Sequence, residues 1–429
     1  MKFTLPEGAF PPLNLTQDDE QAIADLADRI VAETLQVNEE FIAGNRKLSK
    51  QEWKLIKTKE QVQVYRQRKQ KDGSVQRPRL LSGTILENHL NENNYSDSSG
   101  SASASTSGQS AEKPKSLINA QHSLSSSSSS QRTSDSIFSD GIVDDAKPEH
   151  IPFTIAHGLV PGTIDDVSFG MFGNTEYTWR LRHSYNSENA FDGYKILATI
   201  HSPTRDDPFR FLGIKWLSRP FNAFISRRDF VYIEATGMAL DSNGERVSYH
   251  LMHSFELKQI PELHTSDIIR GNVSTCYIAR QRDVSTAEVY CRAFIDLRGE
   301  LLQSVSASVH TDFLLGVASV VDCSYVKKLA WQMQRSRRSN SQIEKHAPSK
   351  TCEMCSKSLN KLGMFASGSS CQICRKMLCG KCAVERKITV DISVDVTQKD
   401  FSFCVPCVIE AKKLSAWDIA VSNLPPGTE

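Results

Sequence analysis

At 429 residues the chain has room for two domains, or three with linkers, at roughly 150 residues per domain. Its 51 Lys+Arg against 50 Asp+Glu leave a formal charge of +1, which excludes the overall basic surface of a dedicated nucleic-acid binder, so no nucleic-acid partner is expected. Hydrophobic residues at 39% and aromatics at 8% are low for one compact body and point to a polar stretch inside it.

The first residues lack the apolar core of a signal peptide. The longest apolar run, Phe313 to Val321, is about half of the ~20 residues a membrane span needs. A cytoplasmic protein is expected. From Thr16 to Phe41, Ile23, Leu26, Ala27, Ile30 and Val31 recur at helical spacing, with Thr16 able to cap and Asp18, Asp19 and Glu20 at the positive end of the helix dipole. Between Trp53 and Arg68 a short helical or turn entry is expected to lead into a strand at Val62–Tyr65. Residues 84–148, with the run Ser123 to Ser130, have too few apolar anchors to offset their ordering entropy and are expected to form a disordered insertion.

Beyond 151 the pattern is dense. Two short helices are expected between Pro161 and Tyr185, interrupted at Gly170 and Gly173. Six strands follow, at 194–202, 209–217, 229–236, 246–257, 268–281 and 287–297, and consecutive strands imply an antiparallel sheet. A turn at Asp296–Gly299 precedes a long amphipathic helix, Thr311 to Arg335, with Thr311 as its cap and an apolar face directed at the sheet. The class is α+β, and a curved sheet gripping a long helix leaves a cavity suited to apolar ligands.

Ile225-Ser226-Arg227-Arg228-Asp229-Phe230-Val231-Tyr232 resembles the Arg-Asp-Phe-Val strand of START lipid-binding domains. Ile268-Ile269-Arg270-Gly271 resembles the strand start that follows it, and Asp296–Gly299 the turn before that family's last helix. The resemblance implies a helix-grip fold over about 45–335, with one lipid in a tunnel partly closed by the C-terminal helix. Arg228 and Asp229 are expected to form a structural ion pair with each other, since buried charges need partners.

Eight of the 11 cysteines form four Cys-x-x-Cys pairs between 352 and 407: Cys352/Cys355, Cys371/Cys374, Cys379/Cys382 and Cys404/Cys407. Without a secretion signal this reads as metal binding, two zinc ions with four thiolates each. A body of about 60 residues is too small to fold on its core alone, and structural zinc supplies the missing stability. Lys350, Lys357, Lys361, Arg375, Lys376, Lys381, Arg386 and Lys387 offset the charge of the thiolates.

The tight block from Cys371 to Cys382 resembles the FYVE zinc finger, which implies interleaved sites: Cys352, Cys355, Cys379 and Cys382 on one ion, and Cys371, Cys374, Cys404 and Cys407 on the other. Leu362, Met364 and Phe365 stand where that family carries a membrane-inserting loop, with Lys361, Arg375 and Lys376 as basic neighbours. The sequence departs from the family at its basic His-His stretch, where Ser369, Ser370, Cys371 and Gln372 stand instead, so phosphoinositide chemistry is not carried over. Lys327, Lys328, Arg335, Arg337 and Arg338 form a basic run upstream, read as a solvated helix end or as contact with an acidic membrane.

No nucleotide-binding, hydrolase, metalloprotease or kinase motif is present, Asp165–Asp166 suits a helix start, and the histidines are dispersed, so no enzyme is expected. The organisation expected is an N-terminal helical segment (1–44), a START-like domain (45–335), a basic linker (336–349), a FYVE-like finger (350–412) and a tail (413–429). The function expected is lipid binding or transfer, with the finger directing the chain to an anionic, endosomal or other membrane, peripherally, or to a protein. An adaptor binding a partner such as a small GTPase, and a cavity enzyme acting on a lipid, stay open as alternatives.

Overall fold

The computed structural model describes residues 5, 8–68, 141–185, 191–221, 225–263, 268–301, 303–339, 349–359, 368–393 and 395–428. Most of the serine-rich insertion lies outside these residues. Its last part does not behave as expected: α2 (Ile142–Ala146) is helical, Val143 is buried, and Asp144 pairs with Arg292 at 2.5 Å. That pair and Val143 supply the anchors the upstream serines lack.

The main body is a ten-stranded sheet in the order β1 (Trp53–Lys59), β2 (Val62–Gln67), β3 (Thr154–Pro161), β10 (Thr286–Asp296), β9 (Asn272–Asp283), β7 (Arg246–Ser254), β6 (Arg227–Leu240), β5 (Phe211–Arg219), β4 (Gly193–His201), with β8 (Ile268–Arg270) beside β6. All pairings are antiparallel except β6 with β8. The stretch 268–281 is therefore two strands. Gly271 separates them, and a Cβ there would meet the Phe230 ring at 2.6 Å. The turn expected near Trp53 is instead edge strand β1, where the exposed Lys54 and Lys57 suit an edge.

Each sheet face is covered. On the convex face lies α1 (Gln17–Ala43), opened by a capping box in which Thr16 accepts from the Asp19 N–H at 3.2 Å and Asp19 accepts from the Thr16 N–H at 2.8 Å. It buries Ile23, Ile30, Val31 and Phe41 against Ile214, Ile233, Leu251 and Ile278. On the concave face lie α3 (Ile164–Met171), α4 (Glu176–Ser184), α5 (Gln303–Leu315) and α6 (Val320–Ser339). The single helix expected from Thr311 is thus two helices joined by a 3-10 turn at Gly316–Ser319. Thr311 is inside α5, bonding back to the Ala307 carbonyl at 2.7 Å, and the weak helix former Gly316 marks the break. The α+β helix-grip arrangement expected from the sequence is the one observed.

The three motifs that carry the resemblance meet in one latch, though not as expected. Arg228 and Asp229 do not pair with each other. Arg228 donates to the carbonyls of Leu297 (2.7 Å) and Arg298 (3.0 Å), pinning the Asp296–Gly299 turn, where Arg298 and Gly299 have φ of 45° and 70°. Asp229 takes a two-pronged bond from Arg270, 2.9 Å on each arm, and a third from the Trp216 indole at 2.7 Å. Alternation along the strand sends neighbouring side chains to opposite faces, which explains the separate partners.

A small C-terminal body follows: β11 (Ser369–Ser370) with β12 (Met377–Leu378), the hairpin β13 (Ala383–Asp391) and β14 (Thr397–Cys404), α7 (Val405–Lys413) and α8 (Ala416–Ser422). Helix α6 runs to Ser339, into the stretch expected as linker.

Candidate functional site

Between the concave face and α5 a cavity of 1170 Å³ opens beside the ends of β1, β2 and β10, walled by Trp53, Ile151, Leu301 and His310, among others. Its inner walls, Ile295 and Leu297, also bound a 30 Å³ void, which shares Phe191, Leu217, Met252 and Phe313 with an 80 Å³ chamber farther in. Successive chambers share walls, so a wide outer cavity, a narrow apolar neck beneath α5 and a small inner end lie in a row.

That inner end sets a few polar groups among apolar walls. Arg182, His183 and His250 line it. Behind them, Lys215 and Glu234, both without solvent exposure, bond at 2.9 Å, and Arg182 approaches the same Glu234 oxygen at 3.5 Å. The cations share the carbonyls at the end of α3: Arg182 donates to Met171, Lys215 to Gly173 at 2.6 Å and Lys327 to Phe169 at 2.7 Å, as suits the negative end of a helix. Burial pulls the Lys215 ammonium down to about 8 despite Glu234. Burial works to raise Glu234, but Lys215 and Arg182 outweigh it and hold the carboxyl well below its usual range. Burial lowers His183 and His250, which are neutral at pH 7. Glu234 Oε2 and His250 Nε2 are both buried without a hydrogen-bond partner, and His250 Nε2 stands 3.6 Å from Glu234 Oε1. Buried polar atoms of this kind are expensive unless something fills their valence.

Sequence reading noted His183 and His250 only as dispersed and did not single out Arg182, Lys215 or Glu234. A lone Lys inside Phe211–Leu217 and a lone Glu inside Val231–Ala235, both otherwise apolar strand runs, were the available signal.

In the C-terminal body the structure brings together the Sγ atoms of Cys352, Cys355, Cys379 and Cys382, and those of Cys371, Cys374, Cys404 and Cys407, each group within 4.8 Å. The first two pairs sit on matching turns: Ser356 and Arg375 N–H bond back to the Cys352 and Cys371 carbonyls at 2.7 and 3.0 Å, with φ of 59° and 65°. Such turns aim both sulfurs of a pair at one point. A tetrahedral ion with ~2.3 Å zinc–sulfur bonds needs sulfurs about 3.8 Å apart. Cys355 to Cys379 and Cys374 to Cys404 each measure 3.7 Å, so the donor set fits. Burial opposes ionisation of Cys352, but the N–H groups of Cys379, Met354 and Cys355 outweigh it and hold that thiol at about 6. Hydrogen bonding with Cys355 and Cys379 pushes Cys382 up to about 12. Four gathered thiols resist losing all their protons without a cation among them. Each group is suited to one metal ion.

Arg375 and Lys376 are exposed beside the second turn. Lys361, Leu362, Met364 and Phe365 lie outside the described residues. The upstream basic run divides between protein and solvent, so a solvated helix end, one of the two placements expected, holds for its second half only. Lys327 is half-buried on the α3 carbonyls and Lys328 is buried on Asp166 at 2.5 Å, whereas Arg335, Arg337 and Arg338 are exposed, Arg337 reaching Gln372 at 3.3 Å. The two lysines therefore face protein and the arginines after them face solvent.

Fold and site together define an α+β helix-grip protein with an interior cavity and a module suited to two metal ions. Among solved structures the chain is similar to human STARD10, at 10% identity over 70% of this chain and 84% of that one, with a TM-score of 0.36. It is similar also to human StAR-related lipid transfer protein 5, at 14% identity over 68% and 97%, with a TM-score of 0.35. A third is norcoclaurine synthase from Thalictrum flavum, at 13% identity over 45% and 94%, with a TM-score of 0.23. Neither the protein-family models nor the curated proteins gave a match to the sequence.

Proposed function

We propose that the protein binds one amphipathic lipid, its apolar part along the neck and outer cavity and its polar end against Arg182, His183 and His250, without chemical change. The observation that carries this reading is the row of mainly apolar chambers whose inner end is lined by His250, with its Nε2 buried and without a partner. A ligand group within hydrogen-bond reach of His250 Nε2 completes that atom's bonding. The inner chambers are narrow, so entry requires α5 and the 3-10 turn to yield. Two zinc ions, one in each four-cysteine group, hold the C-terminal body, a FYVE-like finger. This finger brings the chain to anionic membranes through Arg375 and Lys376 and the sequence around Lys361, Leu362, Met364 and Phe365, and the protein works at the membrane's cytoplasmic surface.

Transfer of fluorescent lipids from vesicles to the full chain tests the cavity. The substitution Met252→Trp plugs the neck and is expected to reduce uptake several-fold with metal content unchanged. Uptake by the variant equal to that of the parent chain contradicts the reading, and no uptake of any lipid class turns the argument toward an adaptor.

A further inference from the structure

The C-terminal body is built onto the walls of the cavity. Its hairpin grips α4: Arg180 donates to the Ser393 carbonyl (3.0 Å), the Thr389 N–H donates to the Tyr185 hydroxyl (3.0 Å), and Gln398 donates to the Ser184 carbonyl (2.8 Å). The Ser184 and Thr389 hydroxyls meet at 2.7 Å. Its core continues into α6, where Leu329 and Met333 are buried beside Leu378, Ile388 and Phe403. Helix α8 closes over Phe169 of α3. These are the outer surfaces of three elements whose inner surfaces carry Arg182 and His183 (α4), Val320 and Cys323 (α6), and Gly170 and Met171 (α3), all walls of the inner chamber.

We infer that metal occupancy of the two four-cysteine groups controls the inner end of the cavity: with metal bound, the hairpin clamps α4 and the ligand's polar end is held; with metal lost, α4 loosens and the ligand leaves faster. The ligand part rests on the lipid-binding reading above. A core as small as that of the C-terminal body needs its metals to fold. Helix α4 has nine residues and one fully covered side chain, Trp179, so it depends on outside contacts to persist. Linkage makes the effect mutual in affinity, so a bound lipid tightens metal binding.

Hydrogen exchange on the full chain tests the clamp without reference to any ligand. Chelation with EDTA is expected to speed exchange in 176–185 about tenfold while β9 and β10 stay protected. Unchanged exchange in 176–185 overturns the inference. Because chelation can unfold more than the module, the paired substitution Thr389→Val with Gln398→Ala serves as the second arm. With both metals retained by native mass spectrometry, it is expected to speed α4 exchange several-fold, and unchanged exchange again overturns the clamp. In parallel, release of a preloaded fluorescent phospholipid or sterol is expected to quicken several-fold on chelation. A lipid that leaves at the same rate while α4 loosens overturns the control of ligand and keeps the clamp. A chain that never loads lipid defeats the lipid-binding reading instead, and α4 exchange then reports on the clamp alone.

Discussion

Asp229 is fully buried and depends on Arg270 and Trp216 for its charge to be tolerable. Arg270→Met leaves that carboxylate with one donor and is expected to cost about 3–5 kcal/mol, read from urea unfolding; a cost under ~1 kcal/mol would mean the latch is ornamental. The latch joins residues that the sequence displayed plainly, since the three motifs were recognisable, but the partner assignment was not legible. Adjacent letters suggested Arg228 with Asp229, and the strand pleat separates them. The buried histidines set acid sensitivity. Burial presses His253 to about 4 and His310 to about 3, against ~6.5 in an unfolded chain. Below pH 6.5 the unfolded state binds more protons than the folded state, so stability is full above that pH and falls as pH drops toward 4. The loss is on the order of 2 kcal/mol per histidine at pH 5. Urea midpoints at pH 7 and pH 5 check this, and His253→Gln is expected to flatten the dependence.

At the scale of elements, α3 and α6 cross at Gly170, where an added Cβ would lie 2.1 Å from the Val320 carbonyl. Gly170→Ala is therefore expected to force the helices apart at a cost of about 1–3 kcal/mol, measured by thermal or urea unfolding, and to widen the chamber they wall. The glycine was visible in the sequence, but only as a helix interrupter. Its close approach depends on a crossing that no local pattern records. Strands flanked by turn residues were legible to within a few positions, as for Phe211–Arg219 and Arg227–Leu240. β3 was not, because it lies between a polar insertion and a glycine-marked helix and its partners, β2 and β10, are far away in sequence. The final helix was legible as an apolar face, whereas its 3-10 break follows from packing over the cavity.

At the scale of the molecule, the cysteine spacing made the two four-cysteine groups legible. The seam between the C-terminal body and the sheet domain was not. Leu329 and Met333 read as a face toward the sheet, yet they belong to the core shared with Leu378 and Phe403. Lys327 and Lys328 read as surface charge, yet Lys328 is buried and Lys327 is half-buried on backbone carbonyls. If the exposed basic side of the module meets membranes, Arg375→Glu with Lys376→Glu is expected to weaken sedimentation with anionic vesicles by roughly tenfold or more, at ~1 kcal/mol per charge removed. Unchanged sedimentation would locate the contact elsewhere.

Native mass spectrometry of the full-length chain, purified without added ligand or metal, tests the central claim most directly. The expected spectrum carries two zinc ions and one lipid-sized adduct that dissociates on gentle activation, with the adduct diminished in Met252→Trp. A chain that holds two zinc ions but no lipid from any expression host or lipid extract would contradict a lipid-binding cavity.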